Sequence, residues 1–427
     1  VGFLSGTSSV WGDVAAFLPH TLWERYGGKA GLARHYPMMR DWVHYITRTD
    51  RENGGRHLFA TGFHFGDWLA LDGVTEQSMK GGTDDTYIAS VYYMQSARYV
   101  AEAAEVLGYA EDAAAYAALA EEIRTAVLDE YFTPAGHLSV TTQAGYLIAL
   151  RFGVWRDREV LLRDLETRLR LDRYRIRCGF VGAPTMCKTL ADAGLGRIAY
   201  RFLLREDYPS WLACVRLGAT TVFERWNSVL PDGHVSGTGM NSLNHYAYGS
   251  VAEFLVTGAA GLSPAAPGFT GAPIPPFVQV RPGQVDCTYR SASGDWRVAW
   301  RVTAEGGIDL TAEVPLGCRA ELVLPCTGGE TVTLAPGVFH RSYLSEEDVL
   351  RLFYPDTPLD EAFRDGRVAK ILSERVPAFA GVARGEEAGS VTLSMLETMH
   401  YIPHDPAALA AALTEIYALR IEEVPHT

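Results

Sequence analysis

One glutamate stands out chemically. Glu224 lies in "TTVFERW", with apolar or aromatic neighbours on both sides. A carboxylate left unpaired in such surroundings is expensive, so a carboxylate kept there points to use. About twenty residues later His245 follows in "SLNHYAYGS", after a turn-rich run over 231–243. Two further loops pair an acid with a tryptophan beside glycine or a turn: Trp11 with Asp13 in "SSVWGDVAAF", and Asp67 with Trp68 in "ATGFHFGDWLALDG". Sugar rings offer an apolar C–H face to aromatic side chains and hydroxyls to carboxylate, amide and imidazole groups. A pocket built from Trp11, Trp68 and Trp226 with Asp13, Asp67, Glu224 and His245 would suit a monosaccharide. Each residue also has a plain structural role open to it. The tryptophans can be core, Asp13 and Asp67 can cap helices, His245 can be a buried, satisfied histidine, and Arg225 can be the ion-pair partner of Glu224.

These loops need a scaffold. Residues 1–260 read as helices. "DVAAFLPHTLWERYGG" has helical spacing, with Pro19 expected to kink it or mark a first turn, and "AGLARHYPMMRDWVHYITRTD" follows. After a Gly-rich loop over 53–67 comes a long helical pair, from "DDTYIAS" to "LDEYF". Shorter helices are expected over 141–153, 158–170, 184–193, 195–205 and 246–259. Helix pairs with variable loops and no strands between them indicate an all-α toroid or bundle. "SPAAPGFTGAPIPP" then reads as a linker. Short alternating runs from "FVQVRP" to "TVTLAPGVF" predict a small β-sandwich at about 275–343. "SEEDVLRLFY", "LDEAFRDGRVAKILSERVPAF" and "DPAALAAALTEIYALRIEE" return to a helical pattern. The expected division is 1–263, 264–344 and 345–427.

Composition narrows the partners. The 427 residues carry a net charge of −13, which argues against nucleic acid, where Lys and Arg must neutralise phosphates. No 18-residue apolar run predicts a membrane span, and the opening "VGFLSGTSSVWGD" lacks the pattern of a signal peptide. The six cysteines form no CxxC pair. They read as free thiols in a reducing compartment, the cytoplasm. No metal-ligand cluster is visible and no cofactor is expected.

"GATTVFERWNSVLPDG" and "GMNSLNHYAYGSVAEFL" resemble the bacterial α-L-rhamnosidases of glycoside hydrolase family 78. So do "WGDVAAFLPHTLWERYG", "HFGDWLALD", "TTQAGYLIAL", "GFVGAPTMCKTLADAG" and "LLREDYPSWL", in family order over roughly residues 8–262. The resemblance implies an (α/α)6 barrel followed by a β-sandwich, and hydrolysis of terminal α-L-rhamnose from glycosides with inversion. It makes Glu224 the general base and His245 a sugar contact, and matches Trp11, Trp68, Asp13 and Asp67 to the rhamnose pocket. Phe223 stands where the family often has Trp, and Val10 where it often has Gly. The family's general acid belongs to an "RDERLGW"-like segment upstream of the "WGDV" match. No such segment occurs in these residues, so the acid and the first barrel helices are expected to be missing. The expected architecture is therefore an incomplete barrel. Its exposed helix faces would invite association with another copy, and this chain alone is expected to be impaired. The alternatives are another (α/α)6 glycosidase or glycan phosphorylase, or a non-catalytic glycan-binding fragment.

Overall fold

The computed structural model describes residues 8–73, 79–237, 239–422 and 424; the opening residues 1–7, on which the reading of a missing signal peptide partly rests, lie outside that set. Helices come first: α1 (Val14–Tyr26), α2 (Lys29–Glu52), α3 (Asp85–Leu107), α4 (Ala110–Tyr131), α5 (Gln143–Phe152), α6 (Arg158–Leu171), α7 (Ala183–Asp192), α8 (Gly196–Leu203) and α9 (Trp211–Arg216). A mixed helical stretch over 248–259 closes this part. Burial separates the helices into two sets. α3 and α5 are buried on most of their surface, whereas α4 and α6 bury one stripe each, as expected of an inner and an outer layer. α1 continues through the buried Pro19, so the proline does not end it. Its residues Val14, Leu18, Leu22 and Tyr26 form an exposed apolar row at four-residue spacing.

Helix starts are well specified. Asp84, Thr142, Asp157 and Ser210 each accept a backbone N–H of the first turn of α3, α5, α6 and α9. α9 has no counterpart in the helical pattern of the sequence; it is one and a half turns long, too short for periodicity to reveal.

The β part contains β1 (Gly271–Ile274), β2 (Gln284–Ser291), β3 (Gly294–Val302), β4 (Gly307–Val314), β5 (Arg319–Val323), β6 (Thr331–Leu334) and β7 (Gly337–Leu344). One sheet has the order β2-β3-β4-β7, all antiparallel; the other has the order β1-β5-β6, with β1 parallel to β5. Between them Trp296, Trp300, Val298, Ile308 and Leu310 are buried, the inward half of an alternating pattern. Two expectations fail here. "FVQVRP" is not a strand: Phe277 stacks on Tyr200 of α8 and its carbonyl accepts the Tyr200 hydroxyl. The first strand lies instead inside the expected linker. "SEEDVLRLFY" is not a helix either. Its Leu350–Leu352 run pairs in extended form with 419–421, Leu352 N–H to Leu419 C=O and Ile421 N–H to Leu350 C=O. A tertiary partner has overridden a local helical preference.

Helices Leu359–Phe363, Gly366–Arg375, Pro377–Ala383 and Pro406–Tyr417 follow, around a core of their own that includes Phe353, Leu372, Phe379 and Leu413.

Candidate active site

Three segments distant in the chain, 64–71, 177–182 and 222–248, are joined mainly by side chains bonded to backbone groups. Asp67 is the central clasp. It is fully buried; one carboxylate oxygen accepts Val181 and Gly182 N–H at 2.8 and 3.2 Å, and the other accepts Gly179 N–H at 2.8 Å. In return the Trp68 carbonyl accepts Phe180 N–H at 2.9 Å. The approach is so close that a Cβ on Gly179 would fall 2.1 Å from that carbonyl oxygen, so only glycine fits. Burial and the charge of Asp72 push the Asp67 carboxyl up to about 7, against the pull of the three N–H donors.

The third segment is pinned to the other two by aromatic side chains. Tyr248 donates its hydroxyl to the Leu69 carbonyl at 3.2 Å. Trp226 stacks on Tyr248 at 4.2 Å and donates its indole N–H to the Cys178 carbonyl at 3.3 Å. Trp226 is therefore a buried prop, not an open surface for a sugar ring.

Glu224 lies at a bend whose backbone is bonded to the returning chain. Its N–H donates to the Ser242 carbonyl at 2.9 Å, and His245 N–H donates to the Val222 carbonyl at 2.8 Å. One Glu224 oxygen accepts Ser242 N–H at 2.7 Å. The other, Oε1, faces His245 Nε2 across 4.0 Å. His245 Nδ1 accepts the Ala247 N–H at 3.2 Å, which leaves Nε2 to carry the proton of the neutral ring. A direct bond cannot form at 4.0 Å. One oxygen atom placed about 2.8 Å from both groups would bridge them at an angle of about 90°. The gap thus suits one water or one sugar hydroxyl. The imidazole stacks with two rings, Phe180 at 4.9 Å and Tyr246 at 5.3 Å. Tyr246 is 81% exposed. Arg225 is not the ion-pair partner of Glu224; its Nε donates to the Met240 carbonyl at 3.1 Å.

Trp11 and Asp13 reach this cluster indirectly. Asp13 is buried, one oxygen accepting the Trp42 indole N–H and the Ser96 hydroxyl, each at 2.6 Å, and the other accepting Val10 N–H at 2.7 Å. Burial pushes its carboxyl up and these bonds oppose the shift. The contact with Val10 fixes a left-handed residue, φ 69°, and so sets the turn that presents Trp11. That ring, 37% exposed, leans on Phe65 at 4.5 Å, and Phe65 meets buried Trp68 edge-on at 5.2 Å. Ser9 N–H to His64 Nδ1, at 3.3 Å, ties the two loops together.

So the structure gathers Asp67, Trp68, Glu224, Trp226 and His245, and links Trp11 and Asp13 to them. It spends the oxygens of Asp13 and Asp67 on positioning, which departs from the expectation that they contact sugar. Phe180, Ser242 and Tyr246 complete the site. Neighbouring glycines around Phe180 and the adjacency of Tyr246 to His245 were the available signals. Among the described residues no group of three or more His, Cys, Asp or Glu side chains could hold a metal ion, and no helix is long and apolar enough to cross a membrane.

This arrangement lies within the span that matches the bacterial alpha-L-rhamnosidase 6 hairpin glycosidase domain, residues 4–258, and the C-terminal domain of the same proteins matches residues 261–338. The chain belongs to the bacterial α-L-rhamnosidase family. An α-L-rhamnosidase of Alteromonas sp. (strain LOR) is 33% identical over 331 residues, 76% of this chain and 35% of its own. One from Streptomyces avermitilis is 32% identical over 80% of this chain and 32% of its own. The crystal structure of Streptomyces avermitilis α-L-rhamnosidase complexed with L-rhamnose superposes with TM-score 0.72 at 29% identity, covering 80% of this chain and 33% of that one. The native α-L-rhamnosidase structure from Aspergillus terreus gives 0.73 at 29% identity, over 80% and 40%. The chain spans about a third of the length of the curated relatives it matches.

Proposed function

We propose that the protein is a glycoside hydrolase that releases terminal α-L-rhamnose from rhamnosides by inversion, with Glu224 as general base. The observation that carries this reading is the Glu224–His245 gap. One carboxylate oxygen is fixed by Ser242 N–H and the other is left facing Nε2 at 4.0 Å, a geometry that holds one water or one hydroxyl. In the reaction Glu224 takes a proton from a water as it attacks the anomeric carbon. His245 donates through Nε2 to a sugar hydroxyl, and Trp11 and Tyr246 offer exposed rings at the mouth. Asp13, Asp67, Trp68 and Trp226 hold these groups in place. Inversion needs a second carboxyl about 6.5–9.5 Å from the first to protonate the leaving oxygen. We place it in a segment preceding the "WGDV" match. The names of the relatives, and the L-rhamnose in the Streptomyces avermitilis structure, support the choice of sugar. The six free cysteines support a reducing compartment.

The test uses p-nitrophenyl α-L-rhamnoside and the chain extended through that preceding segment. Glu224→Gln should lower kcat by about 10²–10⁴-fold, the usual contribution of a general base, and proton NMR should show β-L-rhamnose as the first product. Unaltered turnover in Glu224→Gln, or α-L-rhamnose appearing first, would refute the assignment.

A further inference from the structure

The segment that carries Glu224 also borders a second cleft. Val222, Phe223, Arg225 and Trp226 line a cleft of about 220 Å³ that Glu224 does not reach. Trp211 and Val215 are also in its wall, and no Asp or Glu lines it. Val215, on α9, is well exposed and opens the cleft to solvent.

Arg225 is the one charge in this lining. It is only 8% exposed. Its Nε is bonded to the Met240 carbonyl. Among the described residues the other guanidinium N–H groups have no hydrogen-bond acceptor, and no carboxylate lies within ion-pair distance. A guanidinium largely withdrawn from water and without a counter-charge lacks a strong partner for its remaining N–H groups. It is also a planar fork that matches a carboxylate. The cleft is smaller than the roughly 300–1,000 Å³ of drug-sized sites, so its occupant is about one ring in size.

We infer that this cleft binds a small carboxylate with an apolar body, the carboxylate on Arg225 and the body against Trp211, Val215 and Phe223. The apolar wall selects against a compact, strongly hydrated dianion such as inorganic phosphate. Because the ligand rests on residues that flank Glu224, occupancy braces the segment holding the proposed base. The inference does not depend on the proposed reaction.

Benzoate is the probe, benzyl alcohol its neutral counterpart, and calorimetry on the chain as it stands the measurement. Benzoate should bind saturably, one per chain, at least about tenfold tighter than benzyl alcohol, the effect of a charge-assisted pair. Arg225→Lys should weaken benzoate about tenfold, since a point charge replaces the fork. Val215→Trp should fill the cleft and abolish binding while near-ultraviolet circular dichroism shows a folded chain. Equal binding of the two probes, absence of saturable benzoate binding, or binding that survives Val215→Trp would each overturn the inference.

Discussion

At the residue scale the critical feature is how little freedom Glu224 and His245 have. Each is fixed by a backbone N–H: Ser242 to the carboxylate, Ala247 to imidazole Nδ1. The imidazole also stacks with two rings. His245→Phe keeps that stack and removes the Nε2 donor together with the Nδ1 acceptor of the Ala247 N–H. In a turnover-competent form of the protein, kcat/KM for an aryl rhamnoside should fall about 10–100-fold, corresponding to one hydrogen bond of about 1.5–3 kcal/mol in the transition state. The melting temperature should stay within a few degrees. A large loss of stability with unchanged kcat/KM would make His245 structural. Glu224 and His245 could be singled out in the sequence because their unusual surroundings are local, and the fold brings them within 4.0 Å. The burial of Trp68 and Trp226, and the bonds of Asp13, were not. Asp13 is satisfied by Trp42 and Ser96, 29 and 83 residues away, and no window of sequence displays such partners.

At the element scale, the helices that carry the site could be read from periodicity and caps, and the β-sandwich from alternation. What could not be read was pairing that depends on distant chain. The run expected as the first strand docks on α8, and the run expected as a helix pairs with 419–421. The loops are ordered in the same non-local way, and Asp67 is their common attachment. Its folded-state carboxyl titrates near 7, above the ordinary value of 3.8. The native state therefore binds this proton more tightly than the unfolded chain does. The stabilisation is fully present below about pH 4 and is lost as pH rises through about 7. Urea denaturation between pH 4 and 7 should show that component, superposed on the other groups. Asp67→Asn should remove it, flattening the profile. It should also lower stability by about 1–3 kcal/mol, because an amide cannot accept on both sides and one N–H of the 179–182 turn goes unpaired. An unchanged pH slope in Asp67→Asn would show that Asp67 is ionised throughout.

At the scale of the whole molecule, the C-terminal helices have their own core yet are anchored to the helical part through charge. Arg201 of α8 is nearly buried; its Nε bonds Glu361 at 2.8 Å, an Nη lies 3.7 Å from Asp356, and the guanidinium covers the Tyr174 ring. Removing one member of such a pair leaves the others uncompensated. Arg201→Ala should cost roughly 3 kcal/mol, the low end for buried pairs because Glu361 also lies 3.6 Å from Arg281. It should expose the connection near residue 345 to limited proteolysis. Arg201→Met should be milder, since its stem still covers Tyr174. Equal protease resistance in all three forms would show that apolar contacts hold this part instead.

The clasp at Asp67 also dictates an order of events. It joins residues 112 positions apart in the chain, with α3 to α6 lying between. The entropy of closing so long a loop has to be met before those bonds can form, while the helices in between form from local contacts. The pocket therefore assembles after those helices. After dilution from denaturant, far-ultraviolet circular dichroism should recover first, and ligand binding or turnover at Glu224 and His245 should follow in a slower phase. Asp67→Asn should retard that second phase and leave the first unchanged.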